Sequence, residues 1–388
     1  MLHITNLIYT TKMNIRRKVM DKNKILTIIA CVVLAIIVVA IIIVKTGKTN
    51  TTNPKITNQN TNVQTNKNEE KIDYIGEINV YNAAEYMDKS TIKDFEKEYK
   101  IKVNYKEFES NEAMYEDFVK NSSKYDVLVP SDYMIDRLIK ENRLEKLNKS
   151  NITNLSNVAN EYLNPEYDKE NEYVVPYMTG TLGILYNKKM VNEQVDSWNI
   201  LFDNKYKGQI WMWDSLRDAI GMALKHLGYS MNSTDENELN QAKQALITQA
   251  KILKGYAEEE SRDAMIADEG ALALVYSGEA KFAIDQNPNL AYVIPKEGSN
   301  KFVDGFVIVK NTKHKEEAEK FINFMCRANI AVRNMTSTGY TSPIKGAWGE
   351  FGNNSIMFPS NEELARCESF LYDAKATEKY NKIWKEVK

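Results

Sequence analysis

Cysteine and histidine are scarce, with three of each in 388 residues. Cys31, Cys326 and Cys367 lie far apart, which excludes a CxxC redox pair, a zinc spacing and a disulfide scaffold. Cys326 and Cys367 read instead as buried positions on helices. His3, His226 and His314 are equally dispersed, so a zinc enzyme or a His-activated nucleophile lacks its parts. Eight Pro and 16 Gly exclude collagen-like and low-complexity chains. Basic residues are in deficit over most of the chain. Residues 1–72 hold 11 Lys/Arg against three Asp/Glu, whereas residues 73–388 hold 40 against 50, a formal charge of −10. A body of that sign favours neither nucleic acid nor an anionic substrate, and a cationic ligand suits it better.

One long apolar run is present. Residues 25–44 are broken only by Thr27 and Cys31, matching the roughly 20 residues needed to span a bilayer core. Lys12, Arg16, Arg17, Lys18, Lys22 and Lys24 precede it, and only Lys45, Lys48 and Lys55 follow closely. That bias predicts a cytoplasmic N-terminus over residues 1–24 and an extracellular remainder, periplasmic where an outer membrane exists. A cleaved signal is the competing reading, but the run exceeds the usual apolar core and no A-x-A-like site follows Val44. Ile28-Ile29-Ala30-Cys31 loosely matches a lipoprotein box, yet thirteen apolar residues follow Cys31. Residues 45–72 contain little that is apolar beyond Ile56, Val63 and Ile72, and are expected to form a flexible tether reaching about 30 Å.

From residue 73 the pattern alternates. Strands are predicted over 76–82, 101–108 and 125–131, and helices over 90–100, 111–121 and 134–144. Residues 173–187 are rich in β-branched side chains with no helical period, and read as strands passing from one domain into another. Helices over 215–227, 236–253 and 261–268 follow, then strands over 270–276, 290–294 and 302–309. One long helix is predicted over 315–334, with C-terminal helices over 361–374 and 376–385. The alternation implies βαβ units in two α/β domains, each sheet covered on both faces.

In open α/β sheets the ligand crevice lies at the carboxyl ends of the strands. That rule selects Ala83, Ala84, Glu85 and Tyr86, then Ser131, Asp132 and Tyr133. It also selects Asp214 and Asp218, then Tyr276, Ser277, Gly278 and Glu279, and finally Asp304 and Tyr340. Carboxylates and tyrosines recur at these ends; Lys and Arg do not. Carboxylates bind ammonium groups through charge-assisted hydrogen bonds, and aromatic faces cover methylenes and attract cations. Each residue also has a plainer reading. Ser215 to Asp218 fits a helix capping box, Glu279 fits the first turn of a helix, and any one Tyr of 22 could be packing.

The body resembles the spermidine/putrescine-binding proteins of ABC importers from about Gly76 onward. The resemblance rests on VYNAAEYM (80–87), FESNEAMY (108–115), YDVLVPSDYMIDRL (125–138), WDSLRDAIGMALKHLGYSMNSTD (213–235), ALVYSGEAKFAI (273–284), VIPKEGSNKFVDGFVIVKN (293–311), AEKFINFM (318–325) and STGYTSP (337–343). It implies a two-lobed periplasmic-binding-protein-like (type II) α/β fold with a hinge, crossing near 179–183 and 295–304. Lobe 1 is expected at about 73–180 and 304–345, and lobe 2 at about 181–303 and 346–388. By position, the resemblance implies ligand contacts at Glu85, Tyr86, Ser131, Tyr133, Asp218, Tyr276, Glu279, Asp304 and Tyr340. It further implies a polyamine ligand, permease subunits with their ATPase as partners, and neither covalent chemistry nor a cofactor or metal. Ala83 and Ala84 stand where the family commonly has Trp and then Ser or Thr, which removes one aromatic wall; Trp213 or Tyr256 could supply another. A binder of another cation such as iron, or of an amino-phosphonate, shares the architecture, although the lack of Arg at the strand ends disfavours a phosphonate. A glycoside hydrolase would need one singled-out pair of carboxyls.

Overall fold

The computed structural model describes residues 72–388. The expected cytoplasmic segment, the membrane run at 25–44 and nearly all of the linker therefore lie outside the described residues. Among the described residues no helix is long and apolar enough to cross a membrane.

Strand β1 (Gly76–Ala83) pairs in parallel with β2 (Ile101–Phe108) on one side and β3 (Val127–Leu128) on the other. Between them run α1 (Lys89–Tyr99) and α2 (Asn111–Asn121), and α3 (Asp132–Lys140) follows β3. Local chemistry sets the ends: Asp88 caps α1 through the Ser90 N–H, and Ser110 caps α2 through the Ala113 N–H. β4 (Val174–Asn187) then runs fourteen residues without a break. Its first half pairs antiparallel with β9 (Lys301–Ile308), which in turn pairs with β3. Its second half pairs antiparallel with β7 (Leu272–Tyr276) and β8 (Leu290–Val293). β7 continues in parallel to β5 (Ile210–Met212), and β5 to β6 (Gly255–Tyr256). The strand order is thus β2-β1-β3-β9-β4-β7-β5-β6, with β8 against β4. β4 and β9 are the strands that join the two halves.

Each half has its own core. In the first, one face of the sheet buries Ile78, Val80, Phe95 and Phe321, and the other buries Tyr81, Met114, Phe118 and Ile135. In the second, Trp198, Ile210, Met212, Leu224 and Leu274 pack with Tyr380 and Ile383. The helices here are α4 (Leu216–His226), α5 (Glu236–Ala250), α6 (Glu259–Ile266) and α7 (Ser277–Gln286), with α11 (Ala374–Val387) closing the chain.

Four features differ from the sequence reading. The helix expected over 315–334 is two, α8 (Lys315–Met325) and α9 (Ala328–Thr338). Arg327 breaks it by turning extended while its guanidinium grips Glu98 with two bonds of 2.8 and 2.7 Å, and Asn157 takes the freed Cys326 carbonyl. The strand expected over 125–131 is regular only at Val127–Leu128, flanked by bonds from the Asp126 and Val129 N–H groups to the Asn79 and Tyr81 carbonyls, and α3 already starts at Asp132. The C-terminal helix expected over 361–374 stops after α10 (Asn361–Ala365). There Arg366 donates to the carbonyls of Ile294 and Pro295, and the chain continues extended, bridging Glu368 to Asn300. Finally, residues 346–358, assigned to lobe 2 from sequence, pack on the first core through Ala347 and Met357; the chain returns to the second core only at Phe370. Cys326 and Cys367 are both buried free thiols.

Candidate functional site

The loops after β1, β3, β5 and β7 open onto one cavity between the two halves. Tyr86 reaches it from the loop after β1, and Ser131, Asp132 and Tyr133 from the start of α3. Asp218 enters from the first turn of α4, and Tyr276 and Glu279 from the junction of β7 with α7. Asp304 points in from β9, and Tyr340 from just beyond the end of α9. Eight of the nine residues singled out from sequence therefore line one cavity. Glu85 does not. Its backbone is left-handed (φ 51°), its side chain is 64% exposed, and its carboxylate meets Arg262 instead.

Aromatic rings form a continuous edge-to-face series across the cavity. Trp213 lies 5.4 Å from Tyr276, Tyr276 5.3 Å from Phe302, Phe302 6.0 Å from Tyr340, and Tyr340 5.0 Å from Tyr86. Trp213 and Phe302 so supply aromatic surface where Ala83 and Ala84 give none. Tyr256 does not line the cavity; it stacks edge-on against Trp384.

The charged lining is almost entirely acidic. Glu109, Glu112, Asp132, Asp218, Glu258, Glu259, Glu279 and Asp304 border the cavity, and Arg217 is the one cation of the lining. The tyrosines hold three of these acids. Tyr86 donates to Asp304 at 2.7 Å, Tyr276 to Asp218 at 2.7 Å, and Tyr133 to Glu112 at 2.9 Å. Ser215 also accepts the Asp218 N–H, but the Asp218 carboxyl is turned to Tyr276, so the capping box anticipated from sequence is only half made. Asp214 pairs with Lys388, away from the cavity.

Burial raises the proton affinity of these acids, because the ionised form loses water. Asp304 is pushed up to about 6, with the Tyr86 and Ser131 hydroxyls opposing. Asp132 rises to about 8, from burial and then from the neighbouring charge of Asp304. Asp218 rises to about 6 through burial. Glu279 rises to about 7 from burial even though Arg262 pulls it down, and Glu258 rises to about 8 from burial and from Glu259. Oδ1 of Asp218 and Oδ1 of Asp304 are both buried without a hydrogen-bond partner among the described residues. Two acceptors left this way, one beside each half, are open to donors from water or a bound molecule.

Several contributors escaped the sequence reading. Asp132 sat between two selected residues and was named without being assigned a role. Phe302 lies two residues before Asp304, and so on the same strand face, a signal that was present and unused. Glu258 and Glu259 follow β6, too short at two residues to register as a strand. Phe370 arrives from the C-terminal return, which no local pattern announces.

Two halves joined by a crossing strand pair, with a lined cavity between them, have the architecture of a solute receptor. Residues 90–355 match the bacterial extracellular solute-binding protein family, and the chain belongs to it. It is 32% identical over 294 residues to the spermidine/putrescine-binding periplasmic protein of Escherichia coli (strain K12), covering 74% of this chain and 84% of that one. Among solved structures, it is similar to an ABC transporter chain from Listeria monocytogenes (36% identity, TM-score 0.78, covering 80% of this chain and 98% of that one). It is also similar to the spermidine/putrescine substrate-binding protein of Streptococcus pneumoniae (34% identity, TM-score 0.70, covering 80% and 98%).

Proposed function

We propose that this chain captures a polyamine of the putrescine/spermidine class outside the cell and delivers it to an ABC permease. The observation that carries the reading is the pair of buried, unpartnered carboxylate oxygens on Asp304 and Asp218 inside a cavity whose lining holds eight acids and one Arg. An ammonium at each end of an aliphatic chain supplies the missing donors, and the rings from Trp213 to Tyr86 cover the methylenes between. The relatives named for spermidine and putrescine support the same class. Binding of this kind needs no bond to form or break in the ligand.

A ferric reading would draw on tyrosinate ligands. Here the Tyr86 and Tyr276 hydroxyls donate to carboxylates, and burial drives both proton affinities well above the usual phenol range. In this reading residues 25–44 anchor the chain, and residues 45–72 let the lobes reach a permease in the same membrane. Fractionation of expressing cells, with the protein recovered in the membrane pellet, tests that part. A thermal-shift panel of putrescine, cadaverine, spermidine, ferric ion and sugars, followed by titration calorimetry, tests the ligand. Stabilisation by polyamines alone is expected; stabilisation by a sugar or a metal ion instead refutes the assignment.

A further inference from the structure

Glu85 and Glu279 were expected together at the ligand, yet both converge on Arg262. Arg262 sits on α6 of the second lobe with its side chain only 9% exposed. A single nitrogen, Nη1, donates to Oε2 of Glu279 in the same lobe at 2.8 Å and to Oε2 of Glu85 in the first lobe at 3.1 Å. Nε donates to Asp263 at 3.0 Å, and the guanidinium lies 4.7 Å over the Phe282 ring. Glu259 is a further acid that feels the charges of both Glu85 and Arg262, and Lys89 borders the same small pocket. One cation thus ties a carboxylate of each lobe, and one of those carboxylates also walls the cavity.

We propose that Arg262 is a positioning residue for capture: an internal cation that draws the lobes together through Glu85 and occupies Glu279, leaving the ligand's ammonium groups to Asp304 and Asp218. This rests on the polyamine reading for the ligand, but the link between lobes does not. When the lobes part, Arg262 keeps Glu279 and Asp263, so opening breaks one bond and strands no buried charge. Glu85 is mostly exposed, so the link is weak and screened by salt, which suits a receptor that must release its load.

The test is a double-mutant cycle on the full chain, with Glu85→Gln, Arg262→Gln and their combination, reading putrescine association and dissociation by stopped-flow fluorescence. Each single change is expected to speed dissociation about two- to five-fold with association changed less than about two-fold. The double change should be no worse than either single one, the effect should vanish near 1 M salt, and Arg262→Lys should restore part of it. Additive effects overturn the proposal, because they make Glu85 act independently of Arg262. Should Arg262→Gln fail to fold, the exposed Glu85→Gln carries the test by hydrogen exchange without ligand. Faster exchange is expected in segments 83–88 and 259–266, one in each lobe, and unchanged exchange in both refutes the link. If no polyamine binds the unaltered chain, the ligand assignment fails while the exchange experiment still decides the link.

Discussion

Asp304→Asn should move affinity and stability in opposite directions, which a merely structural residue does not do. In the folded protein the Asp304 carboxyl is buried, one oxygen held by Tyr86 and the other without a partner. Its proton affinity is pushed up to about 6, chiefly by burial, from an ordinary 3.8. Ionised at pH 7, it therefore costs the ligand-free fold about 3 kcal/mol relative to the unfolded chain, to order of magnitude. Asn keeps an acceptor for the Tyr86 hydroxyl and removes the charge, but buries an amide, so a net gain of about 1 kcal/mol remains. The ligand-free melting temperature should then rise by about 2 °C. Binding loses one charge-assisted hydrogen bond to an ammonium, about 1.5–3 kcal/mol, or roughly 10- to 150-fold in Kd. Scanning calorimetry and titration calorimetry with putrescine at pH 7.5 give both numbers. A Kd within twofold of the unaltered protein, or a lower melting temperature, refutes the argument.

Polyamine affinity should rise as pH goes from 5 to 8, because the bound cation favours the ionised forms of acids that otherwise hold protons. Asp304 and Asp218, each at about 6, should together weaken binding about 100-fold at pH 5, and calorimetry in buffers of different ionisation enthalpy should register proton release. The same raised values give the ligand-free fold the opposite slope: the contribution of these acids is complete below about pH 4 and lost as pH climbs through 6, so denaturant midpoints should fall across that window. Gly278→Ala should lower affinity at least tenfold. A Cβ there would sit 2.2 Å from the Tyr340 ring of the opposite lobe, a ring that also packs with the first core, so closure is blocked. Scattering that shows full ligand-induced compaction of this variant would sink the prediction.

Much of this was legible because two periods dominate. Strand ends followed directly by helices place Ser131, Tyr133, Asp218, Tyr276 and Glu279 by a rule that needs only local pattern. What escaped was set by partners distant in sequence. Glu85 obeys the strand-end rule, but Arg262, 177 residues later, claims its carboxylate. The helix over 315–334 keeps a helical period across Arg327, yet Glu98 on α1 offers that guanidinium two bonds and the helix divides. Residues 346–358 lack periodicity, and only the buried Ala347 and Met357 reveal which core they serve.

The placement of the acids also explains how a fold rich in helix N-termini receives a cation. The first turn of a helix presents free N–H groups and a positive field, which ordinarily attract anions. Asp132, Asp218 and Glu279 each stand in such a first turn, at α3, α4 and α7. They occupy the field themselves. Asp132 accepts the Tyr133 N–H at 2.7 Å, so its own carboxylate takes the place a bound anion would fill. The field offsets part of the burial cost that lifts these groups; Asp218, at about 6, is ionised at neutral pH and turns its charge to the cavity, whereas Asp132, at about 8, keeps its proton there until a cation binds. Replacing Asp218 by its amide should therefore weaken cation capture and unmask some affinity for a small anion such as sulfate. Isothermal titration with sodium sulfate tests this on Asp218→Asn, whose Tyr276 bond the amide oxygen can still accept. Absence of any sulfate heat, together with unchanged putrescine binding, would show that the helix fields have no part in the site.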